Sequence, residues 1–201
     1  MNNKDTYKSV SGVSEGLYKE LGSRFISFAI PVESQEEVKD RLNAIRKEYH
    51  DARHVCSAFR IGLEGKEWRA SDDGEPSGTG GRPVLAAIDS AGLSDVLIAV
   101  VRYFGGIKLG VPGLARAYRE AAADALRKAE TIEKVAGEWR RISFGWELMP
   151  EVMKMVKEME LPQRAQDFSE SCTMEVRVRL NLMQDFLERT SKFANFKNEM
   201  I

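Results

Sequence analysis

Apolar and polar positions along the chain change period several times, and each change marks an element. In 24–32, RFISFAIPV, residues Ile26, Phe28, Ile30 and Val32 recur at every second place, which predicts a strand. Ser34 followed three residues on by Glu37 is a capping box. Behind it Val38, Leu42, Ile45 and Tyr49 fall at helical spacing. In 53–61, Val55, Ser57, Phe59 and Ile61 alternate with His54, Cys56 and Ala58, a second strand. GLEG at 62–65 predicts a hairpin turn into a short strand around Trp68. The stretch 71–83 is loop by composition, with Pro83 in the first turn of a short helix that stops near Gly92. Val96–Val101 is apolar on both faces, so it reads as a central strand. A glycine-bearing segment follows, and then a helix with Leu114, Tyr118, Ala121 and Ala125 on one stripe and Arg116, Arg119 and Arg127 off it. Residues 1–22 are polar, with Gly12, Gly16 and Gly22, and read as a loosely ordered lead-in.

The pattern breaks near 130–138, where a long helix gives way to EKVAGE. Beyond it the periods predict strand 139–148, helix 150–160, strand 164–169, strand 172–180 and helix 181–194, with Pro162 at the first break and Asn181 and Gln184 as caps of the last helix. Cys172, Met174, Val176, Val178 and Leu180 alternate with Thr173, Glu175, Arg177 and Arg179. This βαββα order is that of a small ferredoxin-like α+β domain. Its remaining strand has only 195–201 to form in. Two domains, 1–134 and 135–201, are therefore expected. There is no internal repeat and no low-complexity tract.

Composition narrows the function classes. The net charge of the 201 residues is -1. It is evenly split, with 20 basic and 20 acidic side chains in 1–135 and 10 and 11 in the rest. No general pull toward polyanions follows, and any such site must be local. Cys56 and Cys172 stand far apart without CxxC spacing, which argues against a disulfide framework or a zinc site and fits a reducing compartment. MNNKDTYKSV has no apolar core, so a secretory signal is not expected, and the aliphatic run 96–101 is far too short for a membrane span.

Candidate chemistry lies in two loops. Gly105, Gly106, Gly110 and Gly113 sit between a buried strand and a helix, where backbone N–H groups bind anions well. The spacing matches neither a Walker loop nor GxGxxG, and a tight connection needing positive φ explains the glycines equally. Arg102, Lys108, Arg116 and Arg119, with no acid among them, add weight to an anion site. Asp72, Asp73 and Glu75 admit three readings: pairing with Arg102, Lys108 or Arg82, a solvated turn, or a metal or catalytic cluster. His54 and Cys56 share one side of a strand, where a nucleophile pair competes with plain packing, and packing is the simpler reading. Met149, Met153, Met155 and Met159 read as core, with a partner-binding face as the alternative.

SRFISFAIPV, ARHVCSAFRIG, SDDGEPSGTGGRPVL and VVRYFGGIKLGVPGLARAY occur in this order. Together they resemble the IMPACT/YigZ family over about residues 15–130, and the last two motifs are highly specific to it. The region from about 138 to 198 resembles the ferredoxin-like domain of bacterial members. The motif positions are Asp72, Asp73, Gly74, Glu75, Pro76, Thr79 and Arg82, then Tyr103, Gly105 and Gly106. Pro112 and Gly80 stand where many relatives have glycine and alanine.

The resemblance implies an α+β protein whose N-terminal domain is like ribosomal protein S5 domain 2, followed by a C-terminal ferredoxin-like domain similar to the last domain of elongation factor G. Eukaryotic members regulate translation under amino-acid starvation by binding a ribosome-associated activator of a kinase. Nucleic-acid binding has been suggested for bacterial ones. The expectation is a cytoplasmic, non-enzymatic translation-related regulator that binds RNA, the ribosome or a ribosome-associated protein, with no cofactor, metal or membrane. Its anion-binding residues would be Arg102, Lys108, Gly110, Arg116 and Arg119. The competing class is a phosphate- or nucleotide-binding enzyme using 105–113, because the S5-like fold is shared with small-molecule kinases that seat ATP on such a loop. The serines usual there are missing. Oligomeric state, partner and sequence preference stay open.

Overall fold

The computed structural model describes residues 5–169 and 171–201. It is a mixed fold of helices and antiparallel strands in two compact units, Tyr7–Lys134 and Val135–Ile201, the second also taking Asp5 and Thr6. No helix among the described residues is long and apolar enough to cross a membrane.

In the first unit, strands β1 (Thr6–Val10), β2 (Ser14–Glu20) and β3 (Ser23–Pro31) precede helix α1 (Gln35–Glu48). Then come β4 (His54–Ile61), β5 (Glu67–Ser71), α2 (Gly81–Ala91), β6 (Val96–Tyr103), α3 (Gly110–Lys128) and β7 (Thr131–Val135). Five strands form one sheet in the order β2-β3-β6-β4-β5, and β1 pairs with β7 separately. Every pairing in the large sheet is antiparallel.

The central strand β6 is buried on both faces for the reason its sequence indicates. Ile98 and Val100 pack with Leu114, Tyr118 and Ala121 of α3 and Val84 and Ile88 of α2. Leu97, Ala99 and Val101 pack with Val38 and Ile45 of α1. Burying an aliphatic side chain of this size is worth about 1.5–3 kcal/mol. Helices thus cover both faces of an antiparallel sheet, an arrangement more usual for parallel ones.

Three local expectations are corrected. Residues 5–20 form β1 and β2 rather than a loose lead-in, while residues 1–4 lie outside the described residues. Their apolar signal is weak because β2 is an edge strand, and its Gly16 lets α3 approach so closely that a Cβ would collide with the Ala125 amide nitrogen. The capping box closes one residue early: Ser34 Oγ accepts the Glu37 N–H at 3.2 Å, but the Glu37 carboxylate takes the N–H of Glu33 at 2.8 Å. In the second unit neither Asn181 nor Gln184 caps a helix. The last helix starts at Met183, and Gln184 Nε2 donates to Glu188 instead.

That unit runs β8 (Gly137–Phe144), α4 (Met149–Glu158), β9 (Gln163–Phe168), β10 (Cys172–Arg179), α5 (Met183–Thr190) and β11 (Lys197–Met200). The strands order β11-β8-β10-β9, all antiparallel. Four residues of the short tail suffice for the last strand, which pairs Lys197–Met200 with Ser143–Arg140. Cys172, Met174, Val176 and Val178 line the core with Val152, Met155, Val156 and Phe186. Met155 and Met159 are buried, and Met149 and Met153 pack against the same cluster, so the methionines of this helix are core. Asp5 belongs here because Arg179 grips its carboxylate with two hydrogen bonds of 3.0 Å.

Gly105 answers part of what the glycine segment raises. A Cβ there would lie on the carbonyl carbon of Gly22, and its N–H donates to Ser23 Oγ at 3.1 Å. The backbone after β6 is pressed against the turn between β2 and β3. Gly105→Ala should therefore cost about 1–3 kcal/mol of stability through overpacking. Gly12→Ala, where nothing lies within 4 Å and φ is not positive, should leave the urea midpoint unchanged. Chemical denaturation of both variants checks the contrast.

Candidate functional site: a cleft floored by a buried ion pair

Loop 72–80 is built around its carboxylates. Asp72 accepts backbone N–H bonds from Gly78 at 2.7 Å, Gly80 at 2.9 Å and Gly81 at 2.8 Å, so it holds the start of α2. Burial opposes ionisation of Asp72, yet these three donors outweigh it and hold the carboxyl below its usual range. Asp73 takes both guanidinium nitrogens of Arg46, at 2.8 and 3.0 Å, and the Val55 N–H at 2.7 Å. Its pKa is also lowered: burial pushes it up, and the Arg46 hydrogen bonds and Val55 N–H more than offset that. The Asp73 carbonyl meets His54 Nδ1 at 2.7 Å, and the Asp72 carbonyl accepts the Cys56 thiol at 3.0 Å. Thr79 Oγ1 closes the loop on the Pro76 carbonyl at 2.6 Å.

This bracing delivers Glu75. Its Oε1 lies 2.5 Å from Arg102 Nη1 and accepts the Tyr118 hydroxyl at 2.8 Å. The two charged side chains are only 4% and 9% exposed. Arg102 continues the inward series Ile98, Val100 of β6, and in register it stands beside Phe25 of β3 and His54 of β4. Its guanidinium lies 5.5 Å from the Phe25 ring centre and 5.7 Å from that of Phe104, while Arg102 Nε has no hydrogen-bond partner. Phe25 and Tyr118 meet edge to face at 5.1 Å. Burial pushes the Cys56 thiol up to about 12 and raises Tyr118 as well, so both are neutral at pH 7. A thiol so placed is inert. Packing, with one hydrogen bond, is the role of Cys56.

Above this floor opens a cleft of about 670 Å³. Asp51, Arg53, His54, Pro76, Tyr103, Phe104, Lys108 and the first turn of α3 at Gly110 and Val111 line it. Arg53 and Lys108 are exposed, and among the described residues neither has an ion pair or hydrogen bond. Asp51 is occupied, accepting the Tyr103 hydroxyl at 2.7 Å. No side chain caps α3, and its first turn has no acid.

The residues expected to bind anions therefore divide. Lys108 and Gly110 line the cleft with Arg102, but the charge of Arg102 is spent on Glu75. Arg116 pairs with Glu20, and Arg119 is exposed on α3 outside the cleft lining. Of the motif positions, Glu75, Pro76 and Tyr103 line the cleft, Asp72, Asp73 and Thr79 brace the loop, and Gly74 has φ of +83°. Arg82 is exposed, Gly105 serves the close approach to the β2–β3 turn, and Gly106 has φ of +90°. Among the described residues no group of three or more His, Cys, Asp or Glu could hold a metal ion. Sequence reasoning missed Arg46 as the partner of Asp73, Tyr118 as a partner of Glu75, and the free cation Arg53. The only sequence signal for the first was a basic residue in the last turn of α1.

A two-unit mixed α/β protein with a braced acidic loop under a glycine-bearing helix start is thus defined. Residues 21–126 match the family model for the Impact N-terminal domain, and the chain belongs to the IMPACT family. It is 32% identical over 178 residues to IMPACT family member YvyE of Bacillus subtilis, spanning 89% of this chain and 82% of that protein. It is 40% identical over 114 residues to IMPACT family member YigZ of Escherichia coli, 56% of each chain. A crystal structure of a hypothetical protein overlays with a TM-score of 0.74 at 25% identity, covering 98% of both chains.

Glu75→Gln removes one charge and leaves Arg102 buried without its counterion. It should cost about 3–5 kcal/mol, whereas Glu75→Met with Arg102→Met together should cost far less than that. Urea melts of both variants decide this. Acid should also weaken the loop. Because the folded carboxyls of Asp72 and Asp73 titrate below their unfolded value of about 3.9, their stabilisation is complete only well above that value and drains away as pH falls through the folded values. Asp72→Asn should flatten the fall of stability with acid below about pH 4, measured by melts on both sides of that pH.

Proposed function

We propose that this protein is a translation-related regulator whose N-terminal unit binds the phosphate backbone of RNA, free or in the ribosome, at the cleft beside α3. The observation that carries this reading is the pair of unpartnered cations, Arg53 and Lys108, on the rim next to an uncapped helix N-terminus. Membership of the IMPACT family supports the link to translation, since the resemblance implies that role for eukaryotic members. Arg102 acts from below as a positioning residue, Arg119 extends the basic surface along α3, and Arg116 adds less because Glu20 holds it. A cytoplasmic site of action and the absence of a catalytic centre belong to the same reading.

The finer fold is part of the proposal. The antiparallel order β2-β3-β6-β4-β5 with helices on both faces supports an S5 domain 2-like N-terminal domain. The order β11-β8-β10-β9 in a βαββαβ chain supports a ferredoxin-like C-terminal one. If 1–134 and 135–201 are separate domains, residues 1–134 expressed alone unfold cooperatively, and a molten product overturns the division.

A fluorescent single-stranded RNA titrated across a salt series tests the site. Each phosphate neutralised contributes about -0.7 to the slope of log K against log salt for single strands. Arg53→Ala with Lys108→Ala should flatten the slope by about 1.4. Arg116→Ala with Arg119→Ala should flatten it less, because Arg116 is already tied to Glu20. An unchanged slope in the first pair moves the binding elsewhere. No binding at low salt moves the reading to a protein partner, and a thermal shift with ATP and magnesium alone moves it to the nucleotide-binding class.

A further inference from the structure

A second surface of the same unit is independent of the cleft. The outermost strand of the large sheet, β5, pairs with β4 along one edge, and among the described residues no strand pairs with the other. Such an edge presents a row of free N–H and C=O groups and is a template for an added strand. Beside it runs a groove of about 450 Å³ between α1 and the sheet. Its apolar part is Val38, Leu42 and Phe59, and its charged part is Lys39, Arg46 and Arg69, with no carboxylate in the lining. Lys39 and Arg69 are exposed and have no ion pair among the described residues, while Arg46 is held by Asp73. Glu67, the nearest acid on β5, is engaged by Gln35 Nε2 at 2.5 Å. On β5 itself Trp68 and Arg69 point to opposite faces by strand alternation, and Trp68 is 54% exposed.

We infer that β5 and this groove form a docking site for an extended, acidic segment of a partner protein, bound as a sixth strand of the sheet. Charge complementarity selects the acid, because two unpaired cations, Lys39 and Arg69, and no carboxylate line the groove. The two faces of β5 set the pattern. A strand laid along it places alternate side chains toward Arg69 and Lys39 and toward Trp68, so the segment alternates acidic with apolar residues. Backbone hydrogen bonds supply affinity, and the alternation supplies choice of partner. A nucleic acid satisfies the cations but leaves the edge unpaired.

The test uses the full chain and two labelled eight-residue peptides, one alternating Glu with Val and one alternating Lys with Val. Fluorescence anisotropy should give at least tenfold tighter binding of the Glu peptide. Hydrogen exchange should then slow at the amides of 67–71 and not at the cleft around 108–111. Lys39→Glu with Arg69→Glu should weaken the Glu peptide at least tenfold, and the milder Lys39→Ala with Arg69→Ala severalfold. Unchanged melting curves keep folding out of the comparison, both side chains being exposed. Equal affinity for the two peptides, no detectable binding, protection at the cleft, or displacement of the peptide by a short RNA would each overturn the inference. The RNA salt slope assigned to Arg53 and Lys108 should be unaltered in these variants, so the two sites fail or stand separately.

Discussion

Glu75 and Arg102 are two opposite charges withdrawn from water beneath α3, and the surrounding chain is arranged so that they meet. Desolvating each ion costs several kcal/mol, and the attraction between them repays that only with good geometry and satisfied neighbours. Tyr118 satisfies one more bond of the carboxylate, and the Phe25 and Phe104 rings flank the guanidinium. Arg102 Nε remains unmatched, so the pair is incompletely compensated. Net stability is therefore a weak reason for its presence. Its stronger consequence is registration: a loop carrying a buried carboxylate can dock in one place only, where the counterion is. The clamps of Asp72 on the start of α2 and of Asp73 on Arg46 fix the same loop from its other side.

That registration explains the glycines around it. Gly81 lies where a Cβ would strike the Ser71 backbone, and Gly80 where it would strike the Cys56 sulfur. The helix that Asp72 caps must lie flat against β4 and β5, and only a residue without a side chain lets it. Gly105 does the same for the segment after β6, against the turn at Gly22. These glycines serve close packing of the chain on itself. What they leave at the cleft is an uncapped helix start with Lys108 and Arg53 unpaired in the same lining.

Periodicity revealed the elements that bury an apolar stripe, and it failed where burial is one-sided or shared. The continuous run of β6 and the stripe Leu114, Tyr118, Ala121, Ala125 each name their own partners. β1 and β2 carry few apolar residues, because β2 is an edge and its inward position is Gly16 on α3, so no alternation announced them. Tail strand β11, KNEM, is too short and too polar to show a period, and it forms by pairing with Arg140–Ser143 of β8. In the site, charge complementarity between two loops was enough to anticipate a bond from the acidic segment to Arg102. It could not separate three adjacent acids with three different duties. Asp72 meets only backbone, Asp73 meets an arginine 27 residues earlier, and Glu75 alone goes inward. Those assignments depend on which way each side chain leaves a loop with φ of +44° at Asp73 and +83° at Gly74.

An even charge balance and local basic sites are compatible because pairing, rather than composition, sets the field near the surface. In the first unit Arg46, Arg60, Arg102, Arg116, Arg127, Lys128 and Lys134 all have carboxylate partners. The exposed pairs among these contribute little to stability, but all of them cancel charge at a distance. The cations left without partners then dominate wherever two of them share a concavity. Arg53 and Lys108 do so at the cleft, and Lys39 and Arg69 do so in the groove beside β5. The two concavities differ in what accompanies the charge. One has a helix start, and the other has an unpaired strand edge. With a net charge of -1 the whole chain has no general pull toward polyanions, so under the proposed readings a ligand at either place is selected by that second feature as well as by charge.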